Sequence, residues 1–198
     1  MYPIANILTF MRIAMIPLVV IFFYLPQRWS SPACAIAFIV AAVTDSLDGY
    51  VARKMGQITR LGAFLDPVAD KLMVATALIL LVSHDVNPLR LIWFDPSILV
   101  AVTAAIIVGR EIAISALREW MAELGARKKV AVSSLGKFKT IFQMTGLSMM
   151  LFRENLFGLP IYELGLYCLV VAAGLTLWSM VVYLRAAWPE LKGSVDLQ

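Results

Sequence analysis

Long apolar stretches alternate with short polar ones along the whole chain. Six of them approach the roughly 20 apolar residues that a membrane crossing needs, at 7–25, 33–52, 61–82, 97–117, 135–152 and 162–186. Turn-forming or polar segments separate them: Pro26-Gln27-Arg28, Lys54-Met55-Gly56-Gln57, 83–88, Arg127-Lys128-Lys129 and 153–160. Period-2 alternation is missing from the stretches, so half-buried strands do not fit. In lipid every backbone N–H and C=O must bond within its own segment or within a closed barrel, which leaves helices. The pattern predicts an all-α, polytopic integral membrane protein of six transmembrane helices, forming a single domain over residues 1–198. Neither an internal repeat nor a low-complexity linker divides it.

Composition supports this solvent. Of the 198 residues 61% are apolar and 15% charged, against about 45–50% and 25% in soluble domains. One soluble core has nowhere to bury that much apolar surface. Arg12 followed by the apolar run 13–25, with Ala33-Cys34-Ala35 behind, superficially resembles a signal peptide. The segment 26–32 is too long and too aromatic for a cleavage region, so the stretch is expected to remain as a helix. Cys34 and Cys168 lie far apart in apolar runs and read as free, packed thiols.

Charge placement sets an orientation. The loops after spans one, three and five hold only Arg28, Arg90 and Arg153; the other fourteen of the 17 basic residues lie at the termini, in the even loops or in the helices entering them. Basic residues favour the cytoplasmic side, so both termini are expected there. Trp29 and Trp93 fit an aromatic belt on the far side. The net charge of +4 follows from this bias and from the pocket described next, and gives no reason to invoke nucleic acid.

Ionisable groups inside membrane segments are costly and are functional candidates by default. Four aspartates crowd one window, in Asp45-Ser46-Leu47-Asp48-Gly49-Tyr50-Val51-Ala52-Arg53 and in Gly62-Ala63-Phe64-Leu65-Asp66-Pro67-Val68-Ala69-Asp70. Residues three or four apart share a helix face, so Asp45, Asp48 and Ala52 form one stripe, and Gly62, Asp66 and Asp70 another. The short loop between the two helices lets the stripes face each other. Four facing carboxylates repel unless a cation lies between them. Oxygen-only ligands select hard divalent cations, and four carboxylates suit two metals about 3.5–4 Å apart. Gly49, Ala52 and Gly62 leave room for a bulky ligand, and Arg53 can neutralise phosphate oxygens. The plainer alternative is a set of interfacial carboxylates paired with Arg53, Lys54 and Lys71.

The string Asp45-x2-Asp48-Gly49-x2-Ala52-Arg53-x8-Gly62-x3-Asp66-x3-Asp70 matches the signature of the CDP-alcohol phosphotransferases, and the chain resembles that family. The resemblance implies the family's fold, a homodimer and two divalent cations, Mg²⁺ or Mn²⁺. By that resemblance Asp45, Asp48 and Asp66 are metal ligands, and Asp70 is both ligand and general base. Gly49, Ala52, Arg53 and Gly62 would border the cytidine diphosphate, and Thr59 would add a phosphate contact.

The acceptor alcohol should be set by residues outside the signature. Arg110, Arg118, Lys137 and Lys139 converge on the cytoplasmic ends of two helices, and a phosphorylated acceptor would explain them. Pairing of Arg110 with Glu111 is a plainer account. So is snorkelling of Arg118 and the lysines toward an anionic leaflet, the role expected of Arg127-Lys128-Lys129. Arg110-Glu111-x6-Arg118-Glu119, Gly136-Lys137-x-Lys139-Thr140 and Asn6-x2-Thr9-x2-Arg12 resemble the bacterial phosphatidylglycerophosphate synthase branch, although Ala5 stands where a proline is common. That branch implies transfer of a phosphatidyl group from CDP-diacylglycerol to sn-glycerol 3-phosphate with release of CMP, and places Asn6 and Thr9 near the donor. Acceptors such as inositol phosphate, serine or phosphatidylglycerol share the signature. A small cation transporter is the competing class. It leaves Gly49, Ala52, Arg53 and the cationic cluster unexplained. Its carboxylates also belong near the midplane, whereas Asp48 is only about 7.5 Å along a helix from Arg53.

Overall fold

A computed structural model of the chain describes residues 4–55, 60–84, 95–123 and 135–195. They form six helices: α1 (Ile4–Tyr24), α2 (Ser30–Met55), α3 (Arg60–Val82), α4 (Pro96–Glu123), α5 (Leu135–Phe152) and α6 (Ile161–Val195). Each coincides with one of the six apolar stretches; α5 matches its stretch, while α2, α4 and α6 run past theirs at both ends, most in α4 and α6. Apolar content locates the middle of a helix, while its amphipathic ends continue the hydrogen-bonded ladder into polar sequence.

Local chemistry explains several boundaries. At α4 the Asp95 carboxylate accepts a hydrogen bond from the Ser97 backbone N–H at 2.9 Å, an N-cap, and Pro96 fills the first helical position, where no N–H is needed. α5 ends at Arg153, whose φ of 58° is left-handed. Beyond it Leu156 and Leu159 exchange two backbone hydrogen bonds around Phe157 and Gly158, with φ of 52° and 80°. Two successive positive φ values make a tight reversing turn. It holds Phe157 at its tip, 95% exposed.

The helices pack as two joined groups. α1 lies against α2 and α3, α5 against α6, and α2–α5, α3–α4 and α4–α6 contacts join them. Phe38, Leu78, Leu81, Ile107, Leu147 and Leu166 are fully or almost fully buried in the shared core. α5 and α6 approach so closely that a Cβ on Gly146 would lie 2.8 Å from the Gly165 carbonyl oxygen. Small residues allow that approach, as at membrane helix interfaces. Cys34 and Cys168 are free.

Large apolar side chains also face outward, among them Ile21, Ile36, Ile79, Ile98, Ile112 and Trp178. A helix that is apolar all round has no water-facing side. Among the described residues Pro96–Glu123 and Ile161–Pro189 are long and apolar enough to cross a membrane, and Thr9–Tyr24 and Ser30–Thr44 are shorter apolar segments.

Candidate functional site

α3 carries Gly62, Asp66 and Asp70 at intervals of four, which places them on one face. Gly62 is buried, and the two aspartates are half-buried. The Thr9 hydroxyl of α1 donates to Asp66 Oδ1 at 2.5 Å. The structure thus brings Thr9 onto the aspartate stripe, and Arg12 is buried three residues further along α1. The side chains of Asn6, Asp45, Asp48, Gly49, Ala52, Arg53 and Lys137, and all of Thr59, lie outside the described residues.

Asp70 stands at the meeting point of two cavities. The larger, about 600 Å³, runs between α2 and α5, bounded by Ile39, Ala42 and Val43 on one side and Ile141, Met144 and Met149 on the other. Its walls are mostly apolar, and Asp70 is the charged residue on them. Ala42 precedes Asp45 by three residues, so this wall belongs to the part of α2 that leads into the aspartate segment. The smaller cavity, about 60 Å³, joins Asp70 to Glu111, Lys139, Thr140 and Gln143.

The described donors near Asp66 and Asp70 are oxygens, including the hydroxyls of Thr9 and Thr140. Neither cavity wall carries histidine or cysteine. That donor set fits a hard divalent cation and disfavours zinc. Among the described residues no three His, Cys, Asp or Glu side chains come together; of the four motif aspartates, Asp66 and Asp70 are the two described.

The cationic cluster has a centre that the sequence left as a mere neighbour. Glu111 Oε1 accepts from Arg110 Nη1 at 2.8 Å and also from Lys139 Nζ. Arg110 and Lys139 are both well buried, so the carboxylate compensates two desolvated cations. Arg110 Nη2 donates to Ser179 Oγ at 3.3 Å, and its guanidinium lies 5.9 Å from the Tyr183 ring centroid. Arg118 does not join the Glu111 cluster directly. It donates to Tyr183 Oη at 3.3 Å, and its guanidinium lies 5.4 Å from the ring centroid. Tyr183 therefore stands between the two arginines, and three helices build the cluster where two were expected. Glu111 was detectable as a carboxylate inside an apolar span; Tyr183 and Ser179 carried no local signal.

A family model described as CDP-alcohol phosphatidyltransferase matches residues 2–184. The chain belongs to this family. Among curated relatives, the CDP-diacylglycerol–glycerol-3-phosphate 3-phosphatidyltransferase of Escherichia coli (strain K12) is 49% identical over 190 residues, 96% of this chain and 97% of the relative. The protein of the same name from Shigella flexneri serotype 5b (strain 8401) has the same identity and coverage. A CDP-alcohol phosphatidyltransferase must bring a lipid-borne nucleotide and an alcohol to one phosphorus. Asp70 lines both the apolar cavity and the ion-paired recess.

Proposed function

We propose that the chain transfers the phosphatidyl group of CDP-diacylglycerol to sn-glycerol 3-phosphate, yielding phosphatidylglycerol phosphate and CMP. The observation that carries the mechanism is the position of Asp70, with an apolar cavity on one side and the Glu111-centred cations on the other. The apolar cavity suits the diacylglycerol part of the donor. The cationic recess suits a phosphorylated acceptor, because Arg110 and Lys139 outnumber the carboxylate that they share.

Asp45, Asp48, Asp66 and Asp70 would hold two divalent cations, Mg²⁺ or Mn²⁺, which when bound supply neutralisation of the pyrophosphate and polarisation of the reacting phosphoryl group. Thr9 orients Asp66 by its hydrogen bond. Gly49, Ala52, Arg53, Thr59, Gly62 and Asn6 are assigned to the donor nucleotide. Arg110, Arg118, Lys137 and Lys139 hold the acceptor phosphate, directly or through Tyr183. This converts an encounter into an oriented approach. Asp70 takes the proton of the glycerol 1-hydroxyl as its oxygen bonds to the phosphorus that carries diacylglycerol. The bond from that phosphorus to the bridging oxygen breaks, and CMP leaves with the electron pair.

The outward apolar side chains support six crossings of a bacterial inner membrane, with both termini and the site on the cytoplasmic side. A single domain acting as a homodimer completes the proposal. Diacylglycerol requires lipid and glycerol phosphate requires water, so a site at the interface serves both.

Asp70→Asn tests the assignment. CMP release from CDP-diacylglycerol and glycerol 3-phosphate should fall by roughly 10²–10⁴, the range for loss of a general base. The purified variant should keep the thermal unfolding profile of the wild type. Full activity in Asp70→Asn would remove the base from this mechanism.

A further inference from the structure

Among the polar groups on the smaller cavity beside Asp70 is one that neither the signature nor the cationic cluster uses. Gln143, 5% exposed, lies one turn beyond Lys139 on the same face of α5. Its Oε1 is buried and has no hydrogen-bond partner among the described residues. A buried acceptor left unmet is unfavourable, so its chemistry identifies what should meet it. A carboxamide oxygen needs a donor. The carboxylates of Asp70 and Glu111 on the same cavity wall offer none, and the donors on that wall, Lys71, Lys139 and Thr140, make no hydrogen bond to that oxygen. A phosphate dianion also brings only acceptors. A neutral hydroxyl brings the missing proton.

We propose that Gln143 is a positioning and specificity residue for the acceptor alcohol. Its Oε1 accepts a hydrogen bond from the hydroxyl adjacent to the one that attacks, the C2 hydroxyl when the acceptor is glycerol 3-phosphate. This rests on the transfer reaction proposed above. The geometry gives the acceptor three holds: cations for its phosphate, Gln143 for its middle hydroxyl and Asp70 for the attacking hydroxyl. A cavity of about 60 Å³ has room for a small hydroxylated group. With the middle hydroxyl fixed, the terminal one is turned toward Asp70.

The test compares two acceptors, sn-glycerol 3-phosphate and 3-hydroxypropyl phosphate, which lacks only the middle hydroxyl. CMP release is measured with the full-length protein, CDP-diacylglycerol and Mg²⁺ in mixed micelles. Wild type should prefer glycerol 3-phosphate in kcat/KM by roughly 10- to 100-fold, the scale of one buried hydrogen bond left unmade. Gln143→Met, of similar length but without the amide, should lower kcat/KM for glycerol 3-phosphate and leave that for 3-hydroxypropyl phosphate within about twofold. Equal loss with both acceptors would mark a purely structural residue and overturn the assignment. So would a wild type that uses both acceptors equally, an outcome that needs no variant to fold. A wild type that releases no CMP with glycerol 3-phosphate would overturn the underlying reaction itself.

Discussion

The two ends of α5 hold their cations in opposite ways. Lys139 is in the second turn of the helix, and Arg153 follows its last residue, fourteen residues away or about 21 Å along the axis. A helix carries partial positive charge at its N-terminus and partial negative charge at its C-terminus. Arg153 is therefore at the favourable end. It donates to the Phe23 carbonyl at 3.0 Å, in the last turn of α1, and its guanidinium lies 3.6 Å from the Phe23 ring centroid. Two helix C-termini and an aromatic face meet its charge. Burial lowers its pKa below the usual arginine value, an effect opposed by the nearby Cys34, Tyr162 and Tyr24. Lys139, with Lys137 before it, stands at the unfavourable end of the same helix. Its ammonium and Arg110 share one carboxylate oxygen of Glu111, and Asp70 lines the same small cavity. Under the proposed function, cations placed against the dipole form the receptor for the acceptor's anion; cations placed with the dipole form a clasp. The contrast separates binding from stability within one element.

The sharpest way to break this comparison is to remove one cation from each end. Arg110→Ala should raise the KM for glycerol 3-phosphate by roughly 10- to 100-fold, the scale of a lost charged hydrogen bond, while the KM for CDP-diacylglycerol moves less than about twofold. Steady-state kinetics with each substrate varied in turn would decide it. A parallel rise in both constants would mean that the N-terminal cluster serves the donor or merely the fold.

Arg153→Gln should do the reverse. It removes a charged hydrogen bond and a cation–π contact, about 2 kcal/mol together. Thermal unfolding in detergent should shift down by about 2–4 °C per kcal/mol, with both KM values unchanged. A changed acceptor KM would show that the far end of α5 is coupled to the site.

How much of this was visible beforehand follows the range of each interaction. All six helices could be placed from local apolar content, and the aspartates stood out because charge is scarce in such segments. Asp66 and Asp70 do share a face of α3, as their spacing of four requires. The pairings that give each cation its role were hidden, because they join distant positions: Lys139 to Glu111 across 28 residues and Arg153 to Phe23 across 130. Arg153 looked like loop punctuation, and its part in tying α5 to α1 depends on where the helix ends meet. Gln143 was silent for a related reason. A lone amide in an apolar helix shows nothing until its oxygen is seen buried and unmet by its neighbours.

The smallest effect sharpens the stability side of the comparison. Gly158 has a φ of 80° in the turn between α5 and α6, and a Cβ there would meet nothing within 4 Å. Crowding is therefore absent, and the cost of a side chain would come from the backbone conformation alone. Gly158→Ala should destabilise by about 1 kcal/mol or slightly more, seen as a small downward shift in thermal unfolding. Activity at temperatures well below the transition should be unchanged, because the turn lies beyond Arg153, at the end of α5 remote from Asp70. If Gly158→Ala instead changed the KM for glycerol 3-phosphate, the tight α5–α6 contact at Gly146 and Gly165 would be transmitting strain to Lys139. The two ends of α5 would then be one mechanical unit, and the division between receptor and clasp would fail.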